Sequence, residues 1–199
     1  MLDLFLSYLL VYKYTVLFCV IAAASFGLPL PATALLIAAG AFAAQGYLNF
    51  GDILLYGLFA SILGDMLGYI ISLRFGKDIF IQIGLKQIFL SQRFVLIENI
   101  FIKHSASTIF SSRFLATNLG PIVNILAGLT KINYKKFLFY DVFGELFYVI
   151  LYSGLGFVFS SQWETISQIS GDITSIIILV VILIILFVIS IRIKNGNKL

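Results

Sequence analysis

The segment SSRFLATNLGPIVNILAGL, Ser111 to Leu129, sets an arginine, two asparagines and a Gly-Pro pair inside otherwise apolar sequence. A charge at membrane depth costs about 2.5–3.5 kcal/mol at a helix centre on insertion scales, and it generally faces a partner or a cavity. Arg113 can offer a planar fork to a phosphate. Its alternatives are snorkelling to the headgroups or a structural pairing with an acid. Asn118 and Asn124 add neutral donors nearby. Further on, FLFYDVFGELFYVILYSGLGF carries Asp141 and Glu145 four residues apart, on one helix face that Tyr148 and Tyr152 continue. Two carboxyls so close suit proton exchange. The alternative leaves Asp141 solvated at the membrane edge beside Lys135 and Lys136, with only Glu145 buried. In YGLFASILGDMLGYIISLRFG, residues Ser61, Asp65, Gly68 and Ser72 share a face, and Gly64 with Gly68 forms a GxxxG edge for close helix approach. Asp65 is a charge partner for Arg113 or a further proton site.

Other chemistry is disfavoured. His104 is the sole histidine, which removes multi-histidine metal sites and two-histidine phosphatase sites, and it adjoins Lys103 at a membrane edge. No P-loop, nucleophile elbow or HExxH occurs. Cys19 is alone, so neither an intrachain disulfide nor a thiolate cluster can form. These absences predict a protein that is not an enzyme and takes no cofactor and no metal.

The elements that hold these residues follow from composition. The 199-residue chain is 61% hydrophobic and 11% charged, with a mean hydropathy of +1.08, which exceeds what a soluble domain can bury. The net charge of +4 does not indicate nucleic acid, because the basic residues sit at the ends of apolar segments. Four segments approach the roughly 20 residues of a spanning helix: Tyr14 to Phe26, Ile53 to Leu73, Phe137 to Ser160 and Ile173 to Ile191. Asp3 and LFLSYLLVY precede Lys13 where a signal peptide would be basic, so the N-terminus reads as mature structure.

Two further apolar stretches are interrupted, Gly27 to Gly46 by Pro29, Pro31 and Gly40, and Ser105 to Thr130 by Gly120, Pro121 and Gly128. Non-helical backbone at membrane depth requires protein or a wet cavity around it, so both read as re-entrant hairpins. Between Gly76 and Lys103 the pattern predicts helical pieces on the cytoplasmic face, serving as a connector or lipid sensor. Arg74, Lys77, Lys86, Arg93, Lys103, Lys131, Lys135, Lys136, Arg192, Lys194 and Lys198 alternate with loops lacking lysine and arginine. The positive-inside rule then puts both termini in the cytoplasm and the hairpins on opposite sides. Each half becomes a hairpin followed by a span in opposite orientation, a pseudo-inverted repeat of the kind that places transport sites where broken helices meet.

The stretches GLPLPATALLIAAG, GDMLGYIISLRFGK and SSRFLATNLGPIVNILAGL, followed by KFLFYDVFGELFYVILYSGLGF, resemble in order and spacing the DedA family, also called the SNARE-associated or VTT domain family. The resemblance covers about Ile21 to Phe159. It implies two re-entrant hairpins and lipid translocation, with undecaprenyl phosphate or phospholipid as cargo in bacterial members and scrambling in eukaryotic ones. Arg113 matches the first family arginine and Asp65 the Gly-Asp motif. Ala24 and Thr33 stand where family members often carry acids, Asn118 where a second arginine often follows, and Ala116 replaces a proline. Loss of acid from one hairpin and base from the other preserves charge balance. Asp141 and Glu145 are then expected to carry part of the acidic role.

The expectation is an all-α, polytopic membrane protein, a single domain over 1–199 with its core at 21–159 and a C-terminal helix at 173–191. It moves an anionic, phosphate-bearing membrane lipid between leaflets, as flippase or scramblase. Arg113, Asn118 and Asn124 bind substrate, while Asp65, Asp141 and Glu145 serve as proton-coupling groups or charge partners. Nucleic acid is not a partner, and self-association is left open. The competing readings are a carrier of small ions or osmolytes and a membrane scaffold working through Lys77 to Lys103, with a phosphatase or lipid transferase third. The Ile-, Lys- and Asn-rich composition suggests a bacterial inner membrane.

Overall fold

The computed structural model describes residues 12–80, 92–115 and 117–160. The predicted span at Ile173–Ile191, the middle of the predicted cytoplasmic connector and Ala116 lie outside them. Among the described residues the fold is all-helical, with six α-helices: α1 Tyr14–Phe26, α2 Ala32–Ala44, α3 Phe50–Phe80, α4 Gln92–Phe114, α5 Gly120–Leu129 and α6 Tyr134–Val158. A 3₁₀ turn at Thr117–Leu119 joins α4 to α5. Among the described residues two helices are long and apolar enough to cross a membrane, over Phe50–Lys77 and Tyr134–Val158.

Local chemistry sets the boundaries. α1 stops at Gly27, whose φ of 127° is left-handed, and Pro29 and Pro31 prevent the chain from resuming a helix before Ala32. α3 and α6 start alike: Asn49 Oδ1 accepts from the backbone N–H groups of Gly51 and Asp52, and Asn133 Oδ1 accepts from Lys135 N–H. α3 bends at Gly76, where φ 61° and ψ −151° suit glycine, and α4 breaks regular geometry at His104. The Lys77 ammonium, just past the first bend, pairs with Glu98 at 2.8 Å and ties the two long helices together.

Helix contacts repeat between the halves. α1 lies on α3 and α4 on α6, while α2 crosses to α6 and α5 crosses to α3. Glycines permit each close approach. Gly64 faces the backbone of Ala22, Gly144 faces Phe110 and Arg113, Gly40 faces the carbonyl of Ser153, and Gly128 faces the backbone of Tyr69 and Leu73. Tyr69 and Ser153 stand equally far along the chain from the capping asparagines of their helices. α2 is apolar all round and buried on most of its surface, as a helix enclosed by protein must be.

Tyr69 locks the second cluster of apolar side chains. Its ring stacks on Phe137 at 4.4 Å and its hydroxyl donates to the carbonyl of Ile132 at 2.6 Å. Tyr69→Phe is expected to lower stability by about 1–2 kcal/mol, since the buried carbonyl loses its donor. Thermal unfolding in detergent reads this directly, and an unchanged midpoint would show the bond to be dispensable.

Candidate functional site

Arg113, in the last turn of α4, is 2% exposed and lies among side chains from three other helices. Its Nη1 sits 3.4 Å from Asp65 Oδ1 on α3. Its Nη2 donates to Asn124 Oδ1 on α5 at 2.7 Å and lies 2.6 Å from Asp141 Oδ1 on α6. Its Nε is 3.7 Å from Glu145 Oε1, one turn further along α6. Asn124 completes the ring by donating Nδ2–H to Asp65 Oδ1 at 2.7 Å. The Phe137 ring closes one side, its centroid 5.9 Å from the guanidinium carbon.

The charges do not balance. Three carboxyls surround one guanidinium, and fully ionised they would leave the cluster at net −2. Asp65 Oδ2, both Asp141 oxygens and Glu145 Oε2 are buried with no hydrogen-bond partner among the described residues. The Asp141 contact is thus an ion pair away from hydrogen-bonding geometry. One oxygen from each acid lies within 4.8 Å of the others, a spacing at which a cation can be held. The cation between them here is Arg113 itself.

Beside the cluster is a cavity of about 340 Å³ between the two chain breaks. The first break contributes Leu28 to Leu30 and the first turn of α2 at Ala32 and Thr33; the second contributes Thr117, Asn118, Gly120 and Pro121. Asp65, Arg113, Glu145 and Tyr148 form its inner wall. The N-termini of α2 and α5 both border this space, and neither capping position, Pro31 or Leu119, supplies a side-chain hydrogen bond. Helix N-termini favour anions through free amides and the helix dipole.

The site residues expected from sequence divide clearly. Arg113, Asp65, Asp141 and Glu145 come together. Asp141 is fully buried and not solvated beside Lys135 and Lys136; Lys136 Nζ donates instead to Ser105 Oγ at 2.9 Å. Asn118 borders the cavity, whereas Asn124 is spent on Asp65 and Arg113 and does not line it. Pro29 and Pro31, and Gly120 and Pro121, mark the breaks. Gly40 and Gly128 do not: Gly40 lies inside continuous α2 and Gly128 near the end of α5, each where two helices touch. His104 stands away from the site, its carbonyl accepting from Ser107 and Thr108.

Ala24 and Thr33, which stood out in sequence only as departures from a pattern, line the cavity, and Ser25 and Thr117 do so without having been singled out. The Pro29/Pro31 and Gly120/Pro121 breaks were the signal that residues flanking them belong to one space.

Similar proteins give this architecture a family. The VTT domain matches residues 30–158. Protein DedA of Escherichia coli K12 is 32% identical over 66% of the chain, which spans 60% of that relative's length. The Bacillus subtilis protein named undecaprenyl phosphate transporter A is 26% identical over 75% of both chains. An uncharacterized membrane protein of Synechocystis is 26% identical over 79% of this chain and 72% of its own. No solved structure matches. With the domain match extending over more than half its length, the chain belongs to the DedA/VTT family of membrane proteins.

Proposed function

We propose that this protein carries a phosphate-bearing lipid between leaflets, its headgroup entering the cavity between the chain breaks and its acyl chains remaining in the bilayer. The observation that carries the reading is a cavity bordered by two uncapped helix N-termini with Arg113 in its wall. Its volume suits a headgroup and not a whole lipid. Exposed apolar side chains beside it, Phe26 and Leu28 at one break and Leu119 and Ile122 at the other, suit contact with acyl chains. Leu55, Phe59, Leu63 and Leu67 on α3, and Phe139, Phe143 and Phe147 on α6, expose apolar stripes at four-residue spacing, as lipid-facing helices do.

In this reading the breaks are the tips of two re-entrant hairpins of opposite orientation, and the repeated helix contacts are those of an inverted repeat. The protein sits in a bacterial inner membrane with both termini cytoplasmic, and carriage is noncovalent. The Bacillus subtilis relative's name supports undecaprenyl phosphate as one cargo, with phospholipid the other. Asn118 offers a neutral donor at the mouth, and Asn124 keeps Arg113 and Asp65 in register.

Arg113 cannot serve a phosphate and three carboxylates at once. As the phosphate draws the guanidinium, the acids lose their counter-charge, and protons taken up by Asp141 or Glu145 restore it. The test is exchange of fluorescent phospholipid and of undecaprenyl phosphate in proteoliposomes, with and without a pH gradient. Wild-type protein is expected to move at least one lipid in response to the gradient. Asp141→Asn/Glu145→Gln is expected to fold, because Asp65 still balances Arg113, and to lose that response. Exchange that keeps its response in the double variant rejects coupling through α6. If neither lipid moves, the carrier of small solutes and the scaffold move ahead.

A further inference from the structure

Two tyrosines one turn apart on α6 each reach a different chain break. Tyr148, 5% exposed in the cavity wall, shares a hydrogen bond of 3.1 Å with Thr33 Oγ1 in the first turn of α2. Tyr152 donates its hydroxyl to the carbonyl of Phe114 at 3.2 Å. Phe114 is the last residue of α4, so its carbonyl has no acceptor role within the helix, and it adjoins Arg113. The two rings meet edge to face with centroids 5.1 Å apart.

We propose that Tyr148 and Tyr152 are positioning residues that together latch both breaks against α6 and keep the cavity narrow. A hydroxyl bond of ordinary strength ties each break to α6, and losing it loosens that tie. The geometry also ties the latch to the ion cluster. Glu145, Tyr148 and Tyr152 follow one another on one face of α6, and Tyr152 holds the residue beside Arg113. A guanidinium moving toward the cavity strains the Phe114 bond first. The ring contact then carries the disturbance to Tyr148 and Thr33. The purpose of the latch rests on the transport reading, but its test does not.

The exposed Cys19 is first replaced, Cys19→Ser, and Thr117→Cys places a reporter thiol in the cavity wall. Labelling of that thiol by a maleimide is timed in proteoliposomes for Tyr148→Phe, Tyr152→Phe and the pair. Tyr14→Phe is the control, since its hydroxyl accepts from Asn49 N–H at 2.8 Å, outside the cavity lining. Phenylalanine keeps each ring and its packing. Each latch variant is expected to label about fivefold faster, the effect of losing one hydrogen bond of ordinary strength, with Tyr14→Phe unchanged. Unchanged labelling in both latch variants overturns the proposal, as does an equal rise in Tyr14→Phe, which would signify general loosening. Lipid exchange by the same vesicles reports separately on transport: faster labelling without any exchange keeps the latch and removes the carrier.

Discussion

Arg113→Ala is expected to abolish lipid exchange and to lower stability by about 3–5 kcal/mol, the range for stripping one partner from a buried charge cluster. Among the described residues the guanidinium is the one positive group against Asp65, Asp141 and Glu145, and truncation strands all three. Loss of exchange alone would not separate unfolding from a missing ligand, so two companions are needed. Arg113→Lys keeps the charge on one nitrogen where three now reach different acids. It is expected to fold and to exchange about tenfold more slowly, since at least one charge-assisted bond is lost. Arg113→Ala/Asp141→Asn/Glu145→Gln removes charges of both signs, so stability should partly return while exchange stays absent. Thermal unfolding in detergent and exchange in vesicles check the set. Arg113→Ala as stable as wild type would sink the electrostatic account. Wild-type exchange in Arg113→Lys would sink the role of the fork.

Much of this site was legible because charge inside apolar sequence is conspicuous. Arg113 in its apolar segment, Asp65 in its span, and Asp141 and Glu145 on one face each announced themselves, and proline marked the breaks. What sequence left open depended on which helices touch. The four-residue spacing of Asp141 and Glu145 was as compatible with a solvated Asp141 as with a buried one; α4 decides it by bringing Arg113 against α6. Asn124 reads as a ligand because its amide offers neutral donors, yet α3 takes one end of that amide through Asp65 and α4 the other through Arg113. Gly64 and Gly68 read as one edge, but Gly64 meets α1 and Gly68 meets Asn124 on α5. The bond between Thr33 and Tyr148 joins residues 115 positions apart, beyond any local pattern.

The glycines of α2 and α6 carry the other large effect. A Cβ on Gly40 would overlap the carbonyl oxygen of Ser153, and one on Gly156 would overlap that of Ile37, so the two helices touch backbone to backbone at two places. A side chain can rotate away from an added methyl, but a carbonyl within a helix cannot. The axes must part, and α2 has little room, being enclosed along most of its length. Gly40→Ala and Gly156→Ala are each expected to destabilise by about 2–3 kcal/mol, near the upper range for overpacking, despite the roughly 1 kcal/mol by which alanine favours a helix. Gly154→Ala, two residues from Gly156 with nothing within 4 Å of an added Cβ, should be neutral or slightly stabilising. That contrast excludes a general intolerance of α6 to alanine. The double variant should cost less than the two singles together, because one separation of the axes relieves both overlaps. Thermal unfolding of all four proteins decides it. If Gly40→Ala and Gly156→Ala melt with wild type, α2 is free to move against α6. The first turn of α2, which brings Thr33 to the cavity, would then lack the rigid backing that an anion site built on a helix N-terminus requires.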